Sequence, residues 1–314
     1  MITVVGESLV DLVRTASASS PPSEHPGGSP ANVAVGLARL GVPATLITQL
    51  GNDAYGRLLR GHLAASGVAV RSLAGPAFAT STATAVLDEH GAASYDFRIT
   101  WDVQKPLKPA TGTRCLHTGS LATALDPGAR AVEELLTGLR AEHGVTVSLD
   151  PNVRPALLPS REEARARIEH HVALADIVKV SEEDLAWLCP GQDPADVAER
   201  WQRTGPALVV VTLGAAGSLA TARGGTVRRP APAVTVADTV GAGDAFTTGM
   251  LHWLDSAGLL GRAQDTLHAL DADSTSRMLD AASLVAALTC SRPGADPPGL
   301  HELRAFRMSS ATPG

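Results

Sequence analysis

Lysine is nearly missing from this chain: only Lys105, Lys108 and Lys179 occur in 314 residues. None lies in a Gly-Lys-Ser or Gly-Lys-Thr tripeptide, so a P-loop, whose lysine reaches the nucleotide phosphates, is excluded. Basic residues are dispersed, with no run longer than Arg228-Arg229, and the formal net charge is −6. Nothing electrostatic therefore draws nucleic acid or an anionic bilayer. No stretch is apolar enough for long enough to span a membrane. The opening Met1-Ile2-Thr3-Val4-Val5-Gly6 has neither a basic region nor a long apolar core, so no signal peptide is expected. The three cysteines, Cys115, Cys189 and Cys290, are far apart and show no metal or redox spacing. A reducing cytoplasm is the simplest expectation, with each thiol a small buried apolar group. Asparagine is as scarce as lysine. Its three positions, 32, 52 and 152, all fall in Gly- or Pro-punctuated segments.

What is present concentrates in two motifs. Asp238-Thr239-Val240-Gly241-Ala242-Gly243-Asp244-Ala245-Phe246 places two glycines and a carboxylate just before an apolar pattern at helical spacing (Phe246, Gly249, Met250, Trp253, Leu254). The segment reads as a loop entering a helix N-terminus, with unpaired amides and the positive end of the helix dipole. Glycine lets such a backbone approach a ligand closely. The arrangement suits a phosphoryl group gaining negative charge, with Asp244 placed to take a proton from an attacking hydroxyl. The same pattern also serves as an ordinary capped turn. Upstream, Gly27-Gly28-Ser29-Pro30-Ala31-Asn32 precedes Val33, Leu37 and Leu40, one apolar stripe closed by Gly41. Ser29 is expected as N-cap and Pro30 as first helical residue. Asn32, in the first turn, is expected to bond something specific or to cap locally.

Apolar, β-rich runs occur at Ile2–Val5, Thr45–Leu50, Arg114–His117, Val145–Leu149, Ile177–Val180 and Leu208–Thr212. Helical patterns at Pro30–Leu40, Tyr55–Ala65, Gly128–His143, Arg161–Leu174 and Pro194–Arg203 alternate with them. Alternation of this kind predicts a parallel sheet covered on both faces. Ser218–Ala222 and Thr226–Arg229 read as an appended hairpin, and Asp244–Ser256 and Ser276–Cys290 as long helices. Two segments break the alternation: the Ser/Pro-rich Leu12–Glu24, and a hairpin pattern within Thr80–Trp101 turning at Glu89-His90-Gly91. His170-His171 with Glu169 has the wrong spacing for two metal ligands on one helix face and is expected as a solvated surface.

Taken in order, Gly-Gly-x-x-x-Asn, Asp150-Pro151-Asn152-Val153-Arg154, Thr212-Leu213-Gly214-Ala215-Ala216-Gly217 and Asp-Thr-x-Gly-Ala-Gly-Asp-x-Phe resemble the signatures of the ribokinase-like, or PfkB, carbohydrate kinases. The second element is closest to the fructokinase and 2-keto-3-deoxygluconate kinase branches. The resemblance implies a three-layer α/β/α fold with a mainly parallel sheet and a small β lid. Its main domain would comprise residues 1–11, 30–79 and 102–304, its lid 12–29 and 80–101, with a disordered tail over 305–314. It implies ATP-dependent phosphorylation of a sugar hydroxyl, with Asp244 as general base and Gly241, Ala242 and Gly243 with it as an anion hole. It assigns sugar contacts to Asp11, Gly27, Gly28, Asn32, Arg98, Asn152 and Arg154, and nucleotide contacts to Thr212, Gly214 and Gly217. Asp184, where the family often has Glu, would hold Mg²⁺ through water. Asp238 would serve the monovalent-cation (K⁺) site that some members possess. A homodimer through the lid is a further expectation.

Fructose is the leading substrate. A 2-keto-3-deoxy sugar acid is the rival, because Arg154 and Arg98 offer a carboxylate partner. A nucleoside is disfavoured, since aromatic residues for stacking a base make up only 3% of the chain. The reading from another class is a catalytically silent sugar-binding regulatory protein on the same fold.

Overall fold

The computed structural model describes residues 1–15, 21–87, 93–261 and 267–310. Strands are numbered along the chain. The larger sheet contains β1 (Ile2–Val5), β4 (Ala44–Thr48), β5 (Ala69–Ser72), β8 (Cys115–Gly119), β9 (Thr146–Asp150), β10 (Ile177–Ser181), β11 (Leu208–Thr212), β12 (Ser218–Ala222) and β13 (Gly225–Arg229). Their spatial order is β13-β12-β11-β10-β9-β8-β1-β4-β5. From β5 through β11 the pairing is parallel; β12 and β13 return antiparallel.

Both faces of this sheet are covered, which is why its strands are continuous apolar runs. Successive side chains enter opposite cores: Val4 and Ile177 face one, Val5 and Val178 the other. The first core is closed by α1 (Ser29–Arg39), α2 (Ala54–Ala65), α7 (Ala242–Ser256) and α8 (Ala272–Cys290). The second is closed by α3 (Gly128–Glu142), α4 (Arg161–Leu174), α5 (Glu182–Leu188) and α6 (Pro194–Gln202). The result is the expected three-layer α/β/α arrangement.

A separate four-stranded sheet has the order β3-β2-β6-β7, with β2 (Leu9–Thr15), β3 (Ser23–Gly27), β6 (Ser81–Leu87) and β7 (Ala93–Arg98). Its register sets His25, Asp11, Ala83 and Phe97 in one row on one face. The next row, Pro26, Val10, Thr82 and Arg98, points to the opposite face. The turn expected at Glu89-His90-Gly91 lies outside the described residues.

Four local expectations need correction. Helix α1 begins at Ser29 with Gly28 as N-cap, so Ser29 does not cap it and its hydroxyl is free for other use. Disorder does not extend over Ala305–Ser310: α9 (Leu300–Ser310) is anchored by Leu303, which packs with Leu40 and Val285. Residues 311–314 lie outside the described set. The helix expected from Ser276 already begins at Ala272, with Asp271 accepting from the Ser274 amide as N-cap. His171 is not on a solvated surface. It is 1% exposed on the inner face of α4 beside Ala164 and Val172, and burial pushes its pKa down to about 4.

Candidate active site

The parallel strands β9, β10 and β11 end at Asp150, Ser181 and Thr212 along one edge of the sheet, the edge where open α/β sheets hold ligands. Helix α7 points its N-terminus into the same region. Gly241, its N-cap, has φ +75°, and a Cβ there would lie 2.6 Å from that of Ala295. Only glycine fits both demands. No side chain caps this end. The Ala242 N–H turns back to the Thr239 carbonyl at 3.2 Å, which removes Ala242 from the expected set of outward amides. Gly243 and Asp244 remain as first-turn donors.

Asp244 is 8% exposed, and both its carboxylate oxygens are engaged from α1. Ser29 Oγ donates to Oδ1 at 2.6 Å and Asn32 Nδ2 to Oδ2 at 2.8 Å. Asn32 therefore bonds neither its own helix end nor open solvent. Burial raises the Asp244 pKa above the ordinary carboxylate value, opposed by the bonds from Ser29 and Asn32. The helices can approach this closely because Gly36 of α1 faces Thr248 of α7.

Beneath this mouth lies a buried ion pair that sequence reasoning missed. Lys179 Nζ donates to Asp150 Oδ2 at 3.0 Å, and a Cβ on Gly243 would come within 2.9 Å of that nitrogen. Burial works against the ammonium, but Asp150 first, then Asp184 and Asp244, hold its pKa above the ordinary value. A lone lysine inside the apolar run Ile177–Val180 was the available signal. Glu7 was also missed. Buried after β1, it is pushed up to about 7 by desolvation, against hydrogen bonds that include Ser120 and the charge of Arg154.

One cleft of about 740 Å³ joins most of the expected residues: Asn152, Arg154, Asp184, Thr212, Gly214 and Gly217, together with Gly241 through Asp244. Its far wall is apolar, built from Pro232, Val234, Val236, Ala286 and Ala287. Asp11 approaches from the small sheet. Its carboxylate lies against Gly27, where a side chain would collide with it. Gly28, at φ +101°, packs onto the Glu7 carbonyl, where a Cβ would sit 2.8 Å away. Burial pushes Asp11 up to about 6, against the pull of His25 and Arg154 and with the push of Asp244. Asn152 (φ +38°) accepts through Oδ1 from Arg154 Nη1 at 2.6 Å.

Three expected residues have other surroundings. Arg98 lies on the face of the small sheet opposite Asp11, with its side chain 83% exposed and beside Asp96. Asp184 closes a capping box with Ser181, and its Oδ1 accepts from the Val153 amide at 2.9 Å. Both its oxygens are thereby engaged. Asp238 accepts from the amides of Val240 and Gly294, which lower its pKa. Among the described residues no group of three or more His, Cys, Asp or Glu side chains could hold a metal ion, and no helix is long and apolar enough to cross a membrane.

A sheet edge with a glycine-opened helix mouth and a buried carboxylate beside it suits transfer of a phosphoryl group to a hydroxyl. Residues 1–302 match the pfkB family carbohydrate kinase model, and the chain belongs to that family. It is 36% identical to a fructokinase from Klebsiella pneumoniae over 279 residues, 87% of this chain and 89% of that one. Among solved structures, a fructokinase from Vibrio cholerae O395 with fructose, ADP and calcium superposes with a TM-score of 0.80 at 31% identity. That match covers 97% of this chain and 98% of the other. An aminoimidazole riboside kinase from Salmonella enterica, complexed with its riboside and an ATP analogue, has a TM-score of 0.81 at 29% identity, covering 97% and 99%.

Proposed function

We propose that this protein transfers the γ-phosphoryl group of ATP to a hydroxyl of fructose, with Asp244 as general base. The observation that carries the reading is Asp244 itself: a buried carboxylate of raised pKa, oriented by Ser29 and Asn32 at the open end of α7. A carboxylate so held is a better base than a solvated one. Fructose is supported by the Klebsiella and Vibrio relatives. The sugar-acid alternative loses support from Arg98, which is on the face of its sheet opposite Asp11, and retains Arg154.

In this reading Asp11, Gly28, Asn32 and Asn152 bind the sugar, and the small sheet covers it and excludes water. Asp244 accepts the hydroxyl proton as the oxygen attacks. The amides of Gly243 and Asp244 stabilise the charge on the transferring group, with Lys179 as the buried cation behind them. Arg154 meets phosphate or sugar oxygens from the other side. Thr212, Gly214 and Gly217 take the nucleotide phosphates, and the apolar wall takes the base.

The residues fit Mg²⁺ as an ion carried by the nucleotide. Such an ion keeps most of its waters and takes phosphate oxygens, so it needs no cage of protein ligands. It would neutralise phosphate charge, with Glu182 and Glu183 as carboxylates of the cleft wall for its waters. For K⁺, Asp238 is the carboxylate on offer.

A phosphorylation assay with Mg-ATP across fructose, ribose, 2-keto-3-deoxygluconate, adenosine and aminoimidazole riboside tests the proposal. The highest kcat/KM is expected with fructose. Sugar-induced thermal stabilisation without any sugar phosphate would replace the kinase reading by that of a silent sugar-binding protein.

A further inference from the structure

We infer that Asp53 is a positioning residue for sugar binding: it pins to the main domain the strand that pairs with Asp11. The inference rests on Asp11 being a sugar contact. Asp53 stands in the turn between β4 and α2 and caps α2, its Oδ1 accepting from the Gly56 amide at 2.7 Å. A cap needs only that bond. The same carboxylate takes two more, both from Thr80. The Thr80 hydroxyl donates to Oδ1 at 2.7 Å and the Thr80 amide to Oδ2 at 2.8 Å. That hydroxyl in turn accepts from the Gly51 amide at 3.0 Å. The segments approach closely because glycine occupies the turn: a Cβ on Gly51 would lie 2.4 Å from the Phe78 carbonyl oxygen.

Thr80 is the residue before the small sheet. Strand β6 begins at Ser81, which pairs with Leu9, and Ala83 pairs with Asp11. Asp11 therefore stands opposite a point about 10 Å along the strand from the anchor. The return crossing after β7 is held from the same end of β4. Gln49 Nε2 donates to Asp102 Oδ1 at 2.7 Å, and Gln49 Oε1 accepts from the Asp102 amide at 3.0 Å. The Ser81 hydroxyl joins the two crossings, accepting from the Thr100 amide at 3.1 Å. With both crossings tied, the small sheet holds one position over the cleft. A carboxylate that recognises a hydroxyl must be placed to within about half an ångström, and the Asp53 bonds are what fix the Asp11 strand pair against the main domain.

Asp53→Ser separates capping from anchoring. Serine caps a helix about as well as aspartate, but its single oxygen cannot hold both groups of Thr80. Hydrogen exchange read by mass spectrometry is expected to speed up over β6 and β2 while α2 stays as protected as in the parent. KM for fructose is expected to rise about tenfold, the equivalent of one lost hydrogen bond, with kcat and KM for ATP within about twofold of the parent. Thr80→Val, which keeps the amide bond and removes the hydroxyl, is expected to show part of the same rise. Unchanged exchange over β6, or an unchanged fructose KM despite faster exchange, would overturn the inference. Protection lost across the whole chain would also overturn it, since Asp53 would then support only the fold. A parent that phosphorylates no sugar would instead count against the proposed function, and the exchange pattern together with calorimetric sugar binding would still decide the role of Asp53.

Discussion

At the scale of single residues, the site is a set of buried charges that depend on one another. Lys179 and Asp150 form a pair removed from water, and either alone would be an uncompensated charge. Lys179→Met is expected to cost about 3–5 kcal/mol of folding stability, read from urea denaturation. Adding Asp150→Leu is expected to recover part of that loss, because it removes the stranded carboxylate. A single mutant as stable as the parent would mean that the pair is not desolvated. Ser29 shows how a residue's local signal and its use can diverge. Its propensity points to a helix cap, yet its hydroxyl serves Asp244, 215 residues away in sequence.

At the scale of elements, the junction of α1 with α7 sets the surroundings of Asp244. Gly36 leaves room for Thr248; a Cβ there would lie 2.6 Å from the threonine Oγ1. Gly36→Val is expected to push the helices apart, cost about 1–3 kcal/mol, and lower kcat by withdrawing Ser29 and Asn32 from Asp244. Thr248→Ala in the same chain is expected to restore part of both, measured by denaturation and steady-state kinetics. Most strands and helices were legible from period and punctuation, and the expected core strands lie within one or two residues of expectation, whereas β5 and α5 were not expected. The Gly-rich mouth of α7 and Asn32 were legible because glycine and asparagine are informative where they are rare or clustered. Pairings across the chain were not. Nothing local in Arg98 indicates which face of a strand pair it occupies; that depends on register, which the partner strand sets. Asp184 reads equally as metal-side acid and as cap, and only the Val153 amide reveals where its oxygens go. Likewise the burial of Leu303 of α9 against Leu40 and Val285 depends on partners far away in the chain.

At the scale of the whole molecule, opposed buried titrations shape stability against pH. Glu7, raised from 4.5 to about 7, stabilises the fold at low pH, and this contribution is lost as pH rises through about 7. Asp11 acts in the same sense up to about 6. His117 and His171, both pushed down to about 4 by burial, act in the opposite sense: they destabilise the fold as pH falls below the ordinary histidine value. The parent is therefore expected to show a muted pH dependence. Glu7→Gln is expected to gain up to about 3 kcal/mol relative to the parent between pH 4 and 8, measured as unfolding free energy in urea. A pH-independent difference would show that Glu7 is ionised as easily in the fold as outside it. Assembly is a separate question at this scale. Light scattering at micromolar concentration is expected to give twice the 32.2 kDa of one chain if the small sheets pair between subunits, and a monomer mass would remove the dimer.

The most direct measurement is the turnover of Asp244→Asn with fructose and Mg-ATP, alongside calorimetric binding of both ligands. If this carboxylate unloads the hydroxyl proton, kcat falls about 10²- to 10⁴-fold while sugar and nucleotide still bind. Turnover within about tenfold of the parent would contradict the assignment of Asp244 as base.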